Sequence, residues 1–275
     1  MASINSHQLR EIIGLIPAAG WGTRLSPLPC SKELYPVGFH TLEDGSIRPK
    51  VVSHYLLENM RRAGIEKAYF LMRSGKWDTP AYFGDGSLVN MNLGYLIVGL
   101  PFGVPYSLDQ AYPFVKDAII ALGFPDIIIY PEDSYKRLIN RLNSSNADII
   151  LGVVPHDQPE KGGVVDFDAD GRVHLLIERI VETDLRYSWA TAVWTPKFTE
   201  FLHQYVAQME AERLQNNPDN KLAKPPEVPI GDVMQVAINQ GMRVEAEVMD
   251  DGWYLDVGTP DNLMRAIQEF SKPAI

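Results

Sequence analysis

The sequence contains a single cysteine, Cys30, so neither an intrachain disulfide nor a multi-cysteine zinc site can form. Positive charge is also scarce. Lys and Arg number 25 against 35 Asp and Glu, a formal net charge of −10. That balance argues against a nucleic-acid or anionic-membrane partner, since both require a basic face. It leaves anionic small molecules open, because a few local cations can hold a phosphate whatever the total charge. No apolar run reaches the roughly 18 residues of a membrane-spanning helix. The longest, residues 94–104 and 118–130, are interrupted by Pro101 and Pro125. The opening MASINSHQLREIIG lacks a basic segment followed by an apolar one, so it does not read as a signal peptide. A soluble, cytoplasmic protein with no membrane association is expected. The six histidines are scattered, with no His-Glu-x-x-His helix, and no internal repeat or low-complexity tract is present.

What is present is ordinary globular material. Hydrophobic residues make up 45% and charged residues 22%, which excludes a disordered chain. A chain of this length buries roughly three quarters of its unfolded surface and needs no covalent or metal staple. Apolar runs of strand length (residues 12–19, 68–72, 95–100, 118–124, 148–154) alternate with stretches of helical spacing such as Val51, Val52, Tyr55, Leu56, Met60 and Ala63. This pattern predicts an α/β fold with a mostly parallel central sheet and helices on both faces. A single helix is expected over 106–115. From Gly162 the texture changes: residues 164–167 and 173–177 flank Asp168-Ala169-Asp170-Gly171, a β-hairpin signal. Further strands are expected at 189–195, 243–249 and 253–257, and helices at 198–214 and 232–239, with a loop at 215–229. A last helix opens at Thr259 with Pro260 in its first turn. One domain over 1–275 is expected, with a first part over about 10–160 and an elaborated second part over about 161–275.

The sharpest feature is Ala18-Ala19-Gly20-Trp21-Gly22-Thr23-Arg24-Leu25, directly after the first strand, with Lys32 following. Glycines there let backbone N–H groups approach phosphate oxygens, Arg24 adds a planar fork and Lys32 a compact charge. A dinucleotide fingerprint would need glycine where Leu25 stands, and Pro27 and Pro29 oppose the helix it requires. A P-loop's Gly-Lys-Ser/Thr occurs nowhere. The segment Gly20-x-Gly22-Thr23-Arg24-Leu25, then Pro27 and Lys32-x-Leu34-x-Pro36-Val37, resembles the signature of sugar-1-phosphate nucleotidyltransferases, glucose-1-phosphate thymidylyltransferases being the nearest group. The similarity continues in order along the chain: Tyr82–Ser87 with Gly94-Tyr95, Leu108 with Gln110–Tyr112, Val164–Asp168 with Glu178, and Trp253-x-Leu255-Asp256-x-Gly258-Thr259.

The resemblance implies a Rossmann-like nucleotide-diphospho-sugar transferase fold with an inserted sugar-binding hairpin. It implies a reaction in which an NTP and a sugar 1-phosphate give an NDP-sugar and pyrophosphate with Mg²⁺ assistance. By resemblance, Arg24 and Lys32 steady the phosphates, and Asp126 and Asp256 hold Mg²⁺. Ala19, Gly20, Gly22, Thr23, Val98 and Ser107 face the nucleotide. Gly163, Glu178, Arg179 and Lys224 face the sugar phosphate. The single best substrate pair is dTTP or UTP with glucose 1-phosphate, and a homo-oligomer remains open. Two other readings stand beside it: a catalytically weak sensor of sugar phosphate or nucleotide sugar, and a nucleotide-sugar-dependent glycosyltransferase.

The sequence departs from the family pattern at several positions. The first metal aspartate, usually directly after Leu-Gly, is displaced by Phe124-Pro125 to Asp126. Glu-Lys-Pro becomes Glu178-Arg179-Ile180. Val98 stands where a glutamine reads thymine or uracil, Ser107 where a glycine contacts the base, and Lys224 one position from a phosphate-binding cation. The run Asp166-x-Asp168-x-Asp170-Gly171 mimics a calcium loop, but position twelve is Ile177, so a hairpin turn is the better reading. The same Asp168-x-Asp170 fails as a glycosyltransferase metal motif, which should end a buried strand. His54 reads as a packed or partly solvated residue, and the aromatic strand Trp189–Trp194 as core, with the lining of a sugar pocket as its other reading.

Overall fold

A computed structural model describes residues 10–42, 44–99, 102–156, 162–216 and 227–271. The first apolar run forms β1 (Ile12–Pro17). The proline-marked stretch after it, which carries no periodic signal, folds as an antiparallel hairpin of β2 (Pro36–Thr41) and β3 (Ile47–Val51). Then follow α1 (Val52–Arg62), β4 (Lys67–Arg73), α2 (Asp78–Phe83) and β5 (Asn92–Val98). The single helix expected over 106–115 is instead two short ones, α3 (Val104–Asp109) and α4 (Tyr112–Val115). Pro113 sits in the first turn of α4, where a residue without N–H starts a helix but cannot continue one.

The chain continues through β6 (Ile119–Leu122), β7 (Ile127–Tyr130), α5 (Ser134–Ser144), β8 (Ile149–Pro155), β9 (Gly163–Phe167), β10 (Val173–Glu178) and β11 (Tyr187–Trp194). It closes with α6 (Pro196–Asn216), α7 (Ile230–Asn239), β12 (Val244–Val248), β13 (Trp253–Asp256) and α8 (Pro260–Phe270). Thr259 caps α8, its side chain accepting the Asn262 amide, and Pro260 opens it as expected.

Strands β5, β4, β1 and β6 lie side by side and parallel. β11 then runs antiparallel to β6, β8 and β9, and β12 pairs parallel with β8. A strand buried on both faces reads as a largely apolar run, and residues 188–194 are all buried, with Ser188 and Thr191 the polar members. The period-2 alternation of β1 sends Ile13 and Leu15 to one side of the sheet and Ile16 to the other. The first side packs with Phe198 and Leu202 of α6 and Val233 of α7, the second with Leu56 and Met60 of α1 and Leu138 of α5.

The Asp168–Gly171 run is a turn: Asp168 Oδ1 accepts the amides of Asp170 at 3.0 Å and Arg172 at 2.9 Å, and Gly171 takes a positive φ. The apolar run 118–130 is cut at Gly123–Asp126. Its second half, β7, leaves the main sheet to pair antiparallel with β13, placing Asp256 opposite Ile127. No helix among the described residues is long and apolar enough to cross a membrane.

Candidate active site

The glycine loop leaves the end of β1, where the Ala18 amide donates to the Leu71 carbonyl at 2.8 Å. Ala18 and Ala19 are buried, whereas Gly20, Trp21, Thr23 and Arg24 face solvent or the cleft. Gly22 takes φ +64°, a conformation that disfavours any side chain. No helix follows, and the chain turns back through the short helical turn Lys32–Leu34. That turn brings Lys32 under the loop and onto Asp126, whose Oδ2 accepts from its ammonium.

Asp256 closes the group. Its Oδ1 accepts the Gly258 amide at 2.7 Å, and its Oδ2 lies 3.8 Å from the exposed Arg24 guanidinium. Burial, then repulsion from Asp126, pushes the Asp256 carboxyl above its ordinary range. Burial alone would lower the Lys32 ammonium, but the Asp126 charge and hydrogen bond outweigh it and hold the pKa above the usual lysine value. Residues 24, 32, 126 and 256 are therefore brought together, and the two-residue displacement of Asp126 does not carry it out of the site. The turn that absorbs it is closed by the Ile127 amide donating to the Phe124 carbonyl at 3.1 Å.

A cleft of about 510 Å³ runs past these groups, lined among others by Ala19, Gly20, Thr23, Lys32, Ser107, Phe124 and Asp126. Glu33 and Lys76 also line it, a pair that sequence reasoning missed. Both are buried; the Lys76 ammonium donates to the Ala18 carbonyl at 2.8 Å and to Glu33 Oε1, leaving Glu33 Oε2 without a partner among the described residues. Nothing local in Ser74-Gly75-Lys76-Trp77 signals that this lysine is buried. A second hollow of about 310 Å³ lies on the other side of the loop, between Trp21 and Trp77, with the Arg73 guanidinium 4.0 Å over the Trp21 ring.

Of the two residues expected to face the base, Ser107 lines the cleft, its hydroxyl 3.1 Å from the Gly103 carbonyl. Val98 does not. It is 2% exposed, packed in the core, and absent from the cleft wall. The reason is strand geometry: at the end of β5 its side chain points into the sheet's packed face.

In the β9–β10 hairpin, Glu178 at the end of β10 accepts the Trp189 indole N–H at 3.1 Å, and Trp189 lies 6.2 Å, ring to ring, from Phe124 in the cleft wall. Gly163 pairs directly with Glu178 across the hairpin, and Gly231 at the start of α7 leaves room for the same carboxylate. Burial raises the Glu178 carboxyl against the lowering effect of the Trp189 bond. Arg179 takes a left-handed φ of 58°, and its charge acts on Asp232, whose own carboxyl burial raises. Lys224 lies outside the described residues. Among the described residues, no group of three or more His, Cys, Asp or Glu side chains forms a metal cage.

A glycine loop at the end of a central parallel strand, two converging carboxylates and two cations define a phosphate-handling α/β protein. The profile of the nucleotidyl transferase family matches residues 13–272, and the chain belongs to that family. It is 24% identical over 259 residues to the low-salt glycan biosynthesis nucleotidyltransferase Agl11 of Haloferax volcanii, covering 93% of this chain and 65% of that protein. It is 29% identical over 259 residues to a glucose-1-phosphate thymidylyltransferase of Mycolicibacterium smegmatis, covering 92% and 80% respectively. The fold is shared with a UTP-bound UGPase from Acinetobacter baumannii at a TM-score of 0.72 and 17% identity, over 96% of this chain and 95% of that one.

Proposed function

We propose that the protein transfers a nucleotidyl group from an NTP to a sugar 1-phosphate, releasing pyrophosphate. The observation that carries this reading is the meeting of Arg24, Lys32, Asp126 and Asp256 at the mouth of the glycine loop. A sugar phosphate is already largely ionised near neutrality, its second pKa being roughly 6 as for other phosphomonoesters. No general base is therefore required. One phosphate oxygen attacks the α-phosphorus, a P–O bond forms, and the bridging oxygen leaves with its electron pair on pyrophosphate. Lys32 and Arg24 oppose the charge that gathers on the phosphates, the loop amides orient them, and Glu178 accepts hydrogen bonds from sugar hydroxyls.

The donor set fits a divalent ion of the Mg²⁺ kind, which takes one or two carboxylates and completes its shell with water and phosphate oxygens. Asp126 and Asp256 would hold it; burial first, then repulsion from Asp126, raises the Asp256 carboxyl, and a cation would relieve that repulsion. When bound, such an ion supplies neutralisation of phosphate charge. The relatives' names support dTTP or UTP with glucose 1-phosphate as the first pair to try. The domain reading over 1–275 and a cytoplasmic location accompany this proposal.

The test is pyrophosphate release with Mg²⁺ over a grid of the common NTPs and several sugar 1-phosphates. Release that requires one member of each set establishes the reaction and names both. Ligand-induced thermal stabilisation without release would favour the sensor, and release from neither set would refute the transferase.

A further inference from the structure

The connection from β4 to α2 carries Lys76 and leads into Asp78. Asp78 Oδ2 accepts the Ser31 amide at 2.6 Å, and its Oδ1 accepts the Ser31 hydroxyl at 2.8 Å. Lys76 donates to the Glu33 carboxylate and to the Ala18 carbonyl, the latter at 2.8 Å. Ser31 and Glu33 are the two chain neighbours of Lys32, and Ala18 stands at the root of the glycine loop. One short segment thus grips the lysine turn on both sides and the loop where it leaves β1. The Ser53 hydroxyl, donating to the Glu33 carbonyl at 2.8 Å, ties the same turn to α1.

Lys76 is 5% exposed and Glu33 fully buried. A buried ion pair is often no more stabilising than apolar side chains of the same volume, because desolvating both charges offsets their attraction. Here one carboxylate oxygen, Glu33 Oε2, also goes without a partner among the described residues. Stability alone therefore does not account for the pair. Its placement does. The Lys76 ammonium is engaged by two acceptors, one in each of the elements that handle phosphate, and Lys32 is left to reach Asp126. Nucleotidyl transfer needs the loop amides and the Lys32 ammonium in a fixed relation, since misplacing a group by about 1 Å can cost about 10²-fold in rate.

We propose that Lys76 is a positioning residue for the transfer and that, with Asp78, it clamps the glycine loop and the Lys32 turn in register, an inference that rests on the transferase reading of the cleft. Lys76 acts through the segments it holds and not by touching substrate.

The test compares wild type with Lys76→Met/Glu33→Gln, which removes both charges together, in pyrophosphate release and in amide hydrogen exchange without ligand. The double variant's kcat should fall about tenfold to a hundredfold even as it regains stability over Lys76→Met, while KM for the sugar 1-phosphate stays within about twofold. The amides of Ala18, Leu25, Leu34 and Tyr35 are each hydrogen-bonded in the loop or the turn. They should exchange about tenfold faster or more, relative to those of β8. Asp78→Ala, at a half-buried position, should speed exchange at Leu34 and Tyr35 and leave Ala18 near wild type. A kcat that returns together with stability would make the pair purely structural and overturn the proposal. Exchange unchanged in both variants overturns it as well, and a lowered kcat would then mark Lys76 as a direct phosphate contact. A wild type that releases no pyrophosphate from any substrate pair refutes the transferase reading, and the exchange pattern still decides whether the clamp exists.

Discussion

The Val257 backbone amide donates to the Asp126 carbonyl oxygen at 2.9 Å, so the residue after one aspartate is clasped to the other aspartate itself. Two acidic side chains from distant parts of the chain are thereby aligned by main-chain hydrogen bonding, which a substitution of either carboxylate leaves in place.

Asp256→Asn tests that separation. The amide oxygen can still accept from Gly258, so the fold should survive with an unchanged circular dichroism spectrum. Removing one charge from the phosphate-handling centre should lower kcat by roughly 10²–10³-fold, the range seen when one electrostatic contact to a transition state is deleted. Steady-state pyrophosphate release checks it, and Asp126→Asn should behave alike.

Lys76→Met leaves Glu33 as a buried carboxylate without its hydrogen-bonded counter-charge. Breaking a buried pair from one side costs about 3–5 kcal/mol, so urea unfolding should show a large loss. Adding Glu33→Gln to Lys76→Met should recover part of it. A double mutant no more stable than the single would show that the pair is not the source of the loss.

Val98→Gln, which restores the residue type that reads pyrimidines in the resembled enzymes, should not alter nucleotide preference, because position 98 is core. It should instead destabilise the fold by about 1–3 kcal/mol, the usual cost of burying an amide without partners. Ser107→Gly, on the cleft wall, should change the ratio of kcat/KM among NTPs. Competition assays between two NTPs distinguish the outcomes.

Glu178→Gln gives a pH-dependent prediction. The folded carboxyl binds its proton more tightly than the unfolded one, so between the two pKa values the folded state carries more protons. Its contribution to stability is therefore complete below the ordinary value of 4.5 and is lost as pH rises through the elevated folded pKa. The substituted amide keeps an oxygen for the Trp189 indole and has no charge to bury. The variant should be more stable than wild type at neutral pH, with the gap closing in acid, while KM for the sugar phosphate rises. Thermal melts at several pH values and a sugar-phosphate titration check both limbs.

The elements that can be read from the sequence are those whose signals are local. The glycine loop after an apolar run, the Asp-Gly hairpin turn and the Thr259-Pro260 helix start each declare themselves within a few residues. β2 and β3 carry no such signal, since Pro36 opens the first, Pro49 interrupts the second and their exposed faces show no alternation. The convergence of Asp126 with Lys32 and Asp256 follows from β7 leaving one sheet to join β13, a long-range pairing with no imprint on neighbouring residues. Lys76 is silent in the sequence for the same reason: its acceptors, Ala18 and Glu33, are brought to it by the fold alone. Val98 departs from expectation because a correspondence of position does not fix which face of a strand a side chain occupies.

β11 borders β6, which ends at the cleft, and β9, which belongs to the hairpin carrying Gly163 and Glu178, while β8 runs along it as well. Chimaeras that exchange the segment after Gly162 with a relative must therefore respect this shared strand. A junction placed at Gly162 would bring in β9, β10 and β11 from one parent to pair with β6 and β8 of the other, and every side chain along both borders would have to match. Point changes at the open end of the hairpin, around Gly163 and Glu178, leave those borders intact and probe this region without swapping halves.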